Sequence, residues 1–127
     1  MFKLQRKGSA ATEAIEYILG TASEAITVGE LLKLSSGKLT KASGTDVPEF
    51  VAEGSGNGTI IPVKRIYEDE VYQTALSASG TSLNVGDKVT IGSDGLTATA
   101  TTTSGVFMIT EMLGTASGDK INGMFRR

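Results

Sequence analysis

The chain has 127 residues and a mass of 13.2 kDa, room for one domain of ordinary size and not for two. Twelve basic against fourteen acidic residues leave a formal charge of −2, and no basic cluster is strong enough to attract a phosphate backbone or an anionic bilayer, so neither nucleic acid nor membrane is an expected partner. The lack of His and Cys removes the usual zinc ligands, a cysteine nucleophile, a disulfide and a histidine general base, and most hydrolase chemistry with them.

Leu, Ile, Val and Phe number 31, enough for a core. Gly, Thr and Ser together make up 44 residues, the composition of short strands joined by tight turns. A compact, mainly antiparallel all-β fold is therefore expected, as a small barrel, a sandwich or a β-tulip-like arrangement. The longest apolar run, Val106 to Ile109, is four residues, against roughly 20 for a transmembrane helix.

In chain order, the basic stretch Met1 to Lys7 is followed by Gly-Ser-Ala-Ala-Thr-Glu where a secretory signal would have an apolar segment, so no signal is read here. With only Phe2 and Leu4 as large apolar groups, residues 1–12 read as an extended N-terminal arm and 13–127 as a single β domain. Ser9 through Leu19, closed by Gly20, fits either a short helix capped by Ser9 or a strand with Ile15, Tyr17 and Leu19 on one face and Glu16 opposite; the strand is favoured, although Ile18 breaks the alternation.

From Ile26 onward the chain repeats itself at a spacing of 57 residues. Ile26 to Leu34 aligns with Leu83 to Ile91, Leu39 with Leu96, Phe50 with Phe107 and Ala52 with Ile109, giving two related halves of about 26–53 and 83–111. Leu32 and Leu34 alternate with Leu31 and Lys33 as a half-buried strand requires. Gly29 and Gly86 mark bends that need positive φ or close backbone approach, followed by Glu30 and Asp87 as acceptors of backbone hydrogen bonds; a carboxylate pair gathered by the repeat to hold a cation is the other reading of those two acids.

Between the halves, Thr59 to Ile66 and Val71 to Leu76 read as strands around a solvated acidic turn, Glu68-Asp69-Glu70, with Pro62 placing the first near an edge or at its start. Ser36-Gly37, Gly54 to Gly58, Ser79-Gly80, Asp94-Gly95, Ser117-Gly118 and Asn122-Gly123 are turn signals. Thr97 to Ser104 starts as strand and continues as exposed loop.

None of this assembles a catalytic site, and the expectation is a protein that is not an enzyme, with no cofactor and no metal. Ser35 or Ser36 beside Lys38 looks like a hairpin turn and lacks the strand-to-helix elbow of a nucleophile. Gly37-Lys38 is followed by Leu39 and preceded at five residues by Leu32, so the phosphate-loop pattern fails. The Gly54 to Gly58 run has no following helix to aim at a phosphate, and Glu68-Asp69-Glu70 lacks the spacing of a calcium loop. Tyr17, Tyr67 and Tyr72 are too scattered for a stacking platform.

The segment Arg6-Lys7-Gly8 with Ala14-Ile15, the run Val28 to Leu34 leading into Ser36 to Ala42, then Pro48 to Ala52 and Val85 to Val89, resemble the decoration, or head cement, proteins of tailed bacteriophages. The resemblance spans nearly the whole chain on short motifs. It implies a non-enzymatic virion protein that is made in the host cytoplasm, binds the outer surface of the expanded head and clamps neighbouring major capsid protein subunits, often as a homotrimer. On that analogy the arm residues Phe2, Lys3, Leu4, Arg6 and Lys7 form the capsid or subunit contact, largely by main-chain pairing. The competing expectation is a carbohydrate- or host-surface-binding module of a virion, against which the few aromatic residues count.

Overall fold

The structure, a computed structural model, describes residues 1–7 and 15–126, with the backbone alone for Arg6 and Lys7. It is all-β: β1 (Lys3–Lys7), β2 (Ile15–Leu19), β3 (Ala25–Ile26), β4 (Leu31–Ser35), β5 (Lys38–Lys41), β6 (Phe50–Ala52), β7 (Gly56–Asn57), β8 (Ile60–Arg65), β9 (Glu70–Leu76), β10 (Lys88–Val89), β11 (Thr97–Ala98), β12 (Phe107–Met112) and β13 (Lys120–Phe125). Residues 15–19 are strand, as favoured from their alternation; the part of that segment before Ile15 lies outside the described residues.

Two main sheets pack in a sandwich-like arrangement and do not close into a barrel, and β3 and β7 form a separate two-stranded ribbon, so that Gly56-Asn57, part of a run read as a turn, is strand. One runs β2-β8-β6-β4-β5, the other β1-β9-β13-β12-β10 with β11 added in parallel to β9. The two carry the same pairing. Leu31↔Val51 and Leu32↔Phe50 in the first become Lys88↔Met108 and Val89↔Phe107 in the second, an offset of 57. Phe50↔Arg65 and Ala52↔Val63 become Phe107↔Phe125 and Ile109↔Gly123, the outer residue now offset by 60. Tyr17↔Pro62 and Leu19↔Ile60 become Gln73↔Asn122 and Ala75↔Lys120, so β2 corresponds to β9 at an offset of 56. Similarity thus extends in space beyond the segments where it is visible in sequence, because small changes in loop length break the linear alignment and leave the ladder intact.

Strand alternation sends side chains to two cores. Ile26, Leu32, Leu39, Phe50, Ala52, Ile61 and Val63 fill the smaller one, with Ile18 packed against it. The larger one joins Leu31, Ala42 and Val51 of the first half to Tyr72, Val89, Ile91, Phe107, Ile109, Ile121 and Phe125 of the second. The halves are also tied by paired backbone bonds between Gly44 and Ile91 (2.8 and 2.9 Å) and by Leu31 N–H donating to Gly95 O at 2.9 Å.

Three local expectations change, and the Ile15 to Leu19 reading gains its orientation. Asn122-Gly123 is not a turn but lies inside β13; a Cβ at Gly123 would collide with the Phe107 ring and the Met108 carbonyl, so the glycine is there for close approach. Pro62 is not near an edge, since β8 lies between β2 and β6. It is tolerated because β6 pairs only with Val63 to Arg65, and just beyond that stretch Glu53 N–H donates to Pro62 O at 2.9 Å, which needs no donor from proline. The face shared by Ile15, Tyr17 and Leu19 points outward, because β2 pairs with β8 so that Ile18 lies beside Ile61 over the core. Finally, Glu70 is no solvated turn residue: it opens β9 and is fully buried.

Candidate functional site

The first residues are part of the domain. Phe2 is 1% exposed, its ring 5.4 Å from Phe107 at an interplanar angle of 84° and 5.6 Å from Phe125, contacts worth more than area burial alone. Its N–H donates to Gly29 O at 3.0 Å, and β1 then pairs antiparallel with β9, Lys3 beside Gln73 and Leu4 beside Tyr72, with an irregularity between Leu4 and Arg6. The described part of the segment read as an extended arm, residues 1–7, thus lies along β9 as an added strand, with Phe2 in the core. Two apolar residues among basic ones suffice to anchor a strand when one of them fills a gap in an aromatic cluster. Phe2 cannot serve as an outward contact; Lys3 and Gln5 are exposed and Leu4 is half-buried, and the backbone of Arg6 and Lys7 lies opposite Val71 and Glu70. Among the described residues, no strand pairs with the outer edge of β1.

The turn residues sit at equivalent places. Gly29 (φ +83°) and Gly86 (φ +97°) both occupy the left-handed region. Gly29 N–H donates to Ala52 O at 2.9 Å and Gly86 N–H to Ile109 O at 2.8 Å. Their neighbouring acids accept backward along the chain: Asp87 Oδ2 from Asn84 N–H at 2.9 Å, Glu30 from the Thr27 backbone. Their surroundings differ, however. Asp87 is exposed, whereas Glu30 is buried with Oε2 lacking a partner, and burial pushes its carboxyl above the ordinary value against the pull of Lys41 and the Thr27 hydrogen bond. Among the described residues, no group of three or more acids gathers to hold a metal ion.

Beneath β1 lies a polar knot that is not legible in the linear order of residues. Lys64 Nζ, on β8, donates to Glu70 Oε1 at 2.6 Å, to Tyr72 OH at 2.9 Å and to Arg65 O at 2.7 Å; Glu70 Oε1 also accepts from Tyr67 N–H at 2.9 Å. Lys64, Glu70 and Tyr72 are all buried. Val63-Lys64-Arg65 reads in sequence as an ordinary polar strand end; the clue was alternation, which puts Lys64 on the face of Val51 and Leu31. A cavity of about 300 Å³ borders the knot, lined by Met1, Leu4, Val28, Glu53, Lys64 and Tyr72 among others. The buried ammonium and phenol that border it are both bonded to Glu70.

No family model matches this sequence, and none of the curated proteins does. Among solved structures, the chain is similar to the crystal structure of the head fiber gp8.5 N base in bacteriophage phi29, with a TM-score of 0.62 and 21% identity, over 88% of this chain and 94% of that one. The two share a fold. At this identity the likeness concerns architecture, and it covers both halves of the sandwich.

The surface that stands out by its chemistry is the outward face of β2 and β8. Tyr17 is 70% exposed, Ile60 65%, Ile15 44% and Leu19 42%, with half-buried Pro62 paired to Tyr17 between them. Among the described residues, the charge pair on β2 is the bidentate contact of Glu16 with Arg65, at 3.1 and 3.0 Å, which raises the guanidinium's pKa further. Sequence reasoning found the alternation of Ile15, Tyr17 and Leu19 and missed that Ile60 completes it across the sheet.

Proposed function

We propose that this protein is a non-enzymatic structural component of a phage virion that binds the outer surface of the expanded head and cements neighbouring major capsid protein subunits. The observation that carries the reading is the shared fold with a phage head fiber base over nearly the full length of both chains. The resemblance of its motifs to head decoration proteins supports the same conclusion from the sequence side. Copies associate, as trimers at threefold lattice positions, so that a weak contact per subunit becomes firm attachment on a repeating shell. Because it binds assembled subunits and not free ones, it stabilises the shell by mass action. The contact with the shell is the open outer edge of β1 with its basic residues Lys3, Arg6 and Lys7, where main-chain pairing adds affinity; Phe2 and Leu4 hold that strand in place from within.

The test is co-sedimentation with undecorated expanded heads and, in parallel, with unexpanded procapsids, counting copies per head. Saturable binding to expanded heads at a lattice stoichiometry is expected. Joint replacement by Glu at Lys3, Arg6 and Lys7 is expected to weaken it roughly tenfold or more, the loss of about 1.4 kcal/mol per attachment, with the circular dichroism spectrum unchanged. Binding to neither form overturns the reading and brings forward glycan recognition, to be sought on a glycan array.

A further inference from the structure

The chain's three asparagines, Asn57, Asn84 and Asn122, differ in the two properties that decide whether an asparagine converts itself to an acid. The reaction is an attack by the next residue's backbone nitrogen on the side-chain carbonyl. It needs a successor with no side chain in the way and a local backbone able to bend the two groups together. Asn84 fails on the first count, being followed by the branched Val85. Asn122 is followed by Gly123 but fails on the second. It lies in β13 between β9 and β12, beside Gln73, while Gly123 pairs with Ile109 on one side and Tyr72 on the other. Its side chain is held at both ends: Gln73 Nε2 donates to Asn122 Oδ1 at 3.1 Å, and Asn122 Nδ2 donates to Glu111 Oε1 at 2.8 Å.

Asn57 meets both conditions. Its successor is Gly58, which lies outside the strands with φ +68°. Asn57 is exposed, and its side chain makes no hydrogen bond among the described residues. It closes β7, which pairs with β3 through Ala25↔Asn57 and Ile26↔Gly56 alone, and this ribbon stands apart from the two main sheets. Even a full hairpin of two strands is marginally stable in water, so a ribbon of two residues per strand opens locally at a small fraction of the global unfolding free energy. The backbone around Asn57 can therefore bend while the sandwich stays folded.

We propose that Asn57-Gly58 is a self-modification site, at which the exposed asparagine of the folded protein converts to aspartate and iso-aspartate. The Gly58 amide nitrogen bonds to Asn57 Cγ and gives up its proton to solvent, and the Cγ–Nδ2 bond breaks as ammonia leaves, closing a cyclic imide. Water then opens the ring. Attack at Cγ gives aspartate; attack at the backbone carbonyl gives iso-aspartate, with the main chain routed through the former side chain. The net change is an amide plus water to a carboxylic acid plus ammonia, and nothing is oxidised or reduced. Each event adds one negative charge to the formal −2. The iso-aspartate route also lengthens the main chain just before Gly58, where a Cβ would already stand 3.2 Å from Ala22 Cα, and so upsets the match of Asn57 to Ala25. Conversion thus loosens the ribbon with age and leaves the two main sheets, the β1 edge among them, in place.

The experiment needs only the purified full chain, held in warm, mildly alkaline buffer. Peptides bearing each asparagine are followed by mass spectrometry for the exchange of NH2 for OH, and iso-aspartate is counted by enzymatic methylation. Conversion at Asn57 is expected to run roughly a hundredfold or more faster than at Asn122, which must wait for a central strand to open at a cost approaching the global stability. Asn84 should stay intact over the same period. In urea, where both sites are open, Asn122 should rise to the rate of Asn57, which separates protection by the fold from the bare Asn-Gly sequence. Asn57→Gln should remove the signal, because the larger ring closes far more slowly, and the amides of β3 and β7 should exchange faster in aged wild type but not in aged Asn57→Gln. A folded chain whose Asn57 stays intact while the unfolded chain converts, or whose Asn57 and Asn122 react at equal rates, overturns the proposal. Conversion without faster exchange in β3 and β7 upholds the site and overturns the loosening of the ribbon.

Discussion

At the scale of residues, Phe2 is the most direct measure of where the domain begins. A side chain in a solvated arm tolerates truncation at a cost within about 0.5 kcal/mol; a buried ring packed on Phe107 and Phe125 costs about 3–5 kcal/mol when cut to Ala. Urea unfolding of Phe2→Ala should show the larger loss, and a near-wild-type midpoint would return residues 1–7 to the status of an arm. Glu30 gives a second residue-scale prediction. Burial lifts its carboxyl above 4.5, so the folded state binds this proton more tightly than the unfolded chain. Its contribution to stability therefore rises as pH falls through the raised folded value and levels off near 4.5, where the unfolded chain is protonated as well. Asp46 acts in the opposite sense: burial would raise its carboxyl, but the Lys33 hydrogen bond at 2.9 Å, the Ser43 N–H and the Lys33 charge outweigh it, and that stability is lost as pH falls below 3.8 toward the depressed value. Glu30→Gln should remove the gain between neutral pH and 4.5 and leave the Asp46 loss in place. Unfolding midpoints of both proteins from pH 7 to 3.5 would check it, and an unchanged slope would show that Glu30 does not titrate in that window.

At the scale of elements, turns were the most legible features where the chemistry is local. Ser36-Gly37 joins β4 to β5 with Ser35 beside Lys38, and both loop residues have positive φ, 51° and 77°, the two-residue hairpin whose twist matches its strands. Serine is strained there, and Asn tolerates that region better. Ser36→Asn should therefore stabilise the protein by about 0.5 kcal/mol or somewhat more, read as a higher melting temperature; no change would mean the serine pays little for its conformation. Elements defined by distant partners were less legible. Asn122-Gly123 has the composition of a turn, and only Phe107, packed on the glycine from a neighbouring strand, explains its place inside β13. The alternation in Ile15 to Leu19 revealed a strand but not which face was inward, because the partner that decides it, Ile61, lies more than forty residues away. Glu70 and Lys64 each read as solvated until β8 and β9 bring them within 2.6 Å. The exposed apolar face of β2 and β8 was hidden for the same reason, since half of it, Ile60 and Pro62, comes from another strand.

At the scale of the whole molecule, a duplicated architecture raises the question of whether the halves are independent. Their cores argue that they are not. The smaller core belongs to the first half alone, but the larger one needs Leu31, Ala42 and Val51 from that half as much as it needs Phe107, Ile109 and Phe125 from the second. Phe2, at the start of the chain, packs among rings contributed near its end, and β9, the first strand of the second half, takes β1 as its outer neighbour. The buried Lys64–Glu70 pair then joins the last strand of one half to the first of the other, where removal of either partner alone leaves an uncompensated charge and costs about 3–5 kcal/mol. With so many shared terms, partial unfolding would expose most of the larger core without gaining the full chain entropy of either half. A single cooperative transition is expected by calorimetry, with calorimetric and van't Hoff enthalpies equal, and a fragment covering residues 70–127 should lack the near-ultraviolet dichroism of packed aromatic rings. Two resolved transitions, or a fragment that melts cooperatively alone, would show that the repeat retains the independence of its parts and that the contacts across the middle only join two finished units.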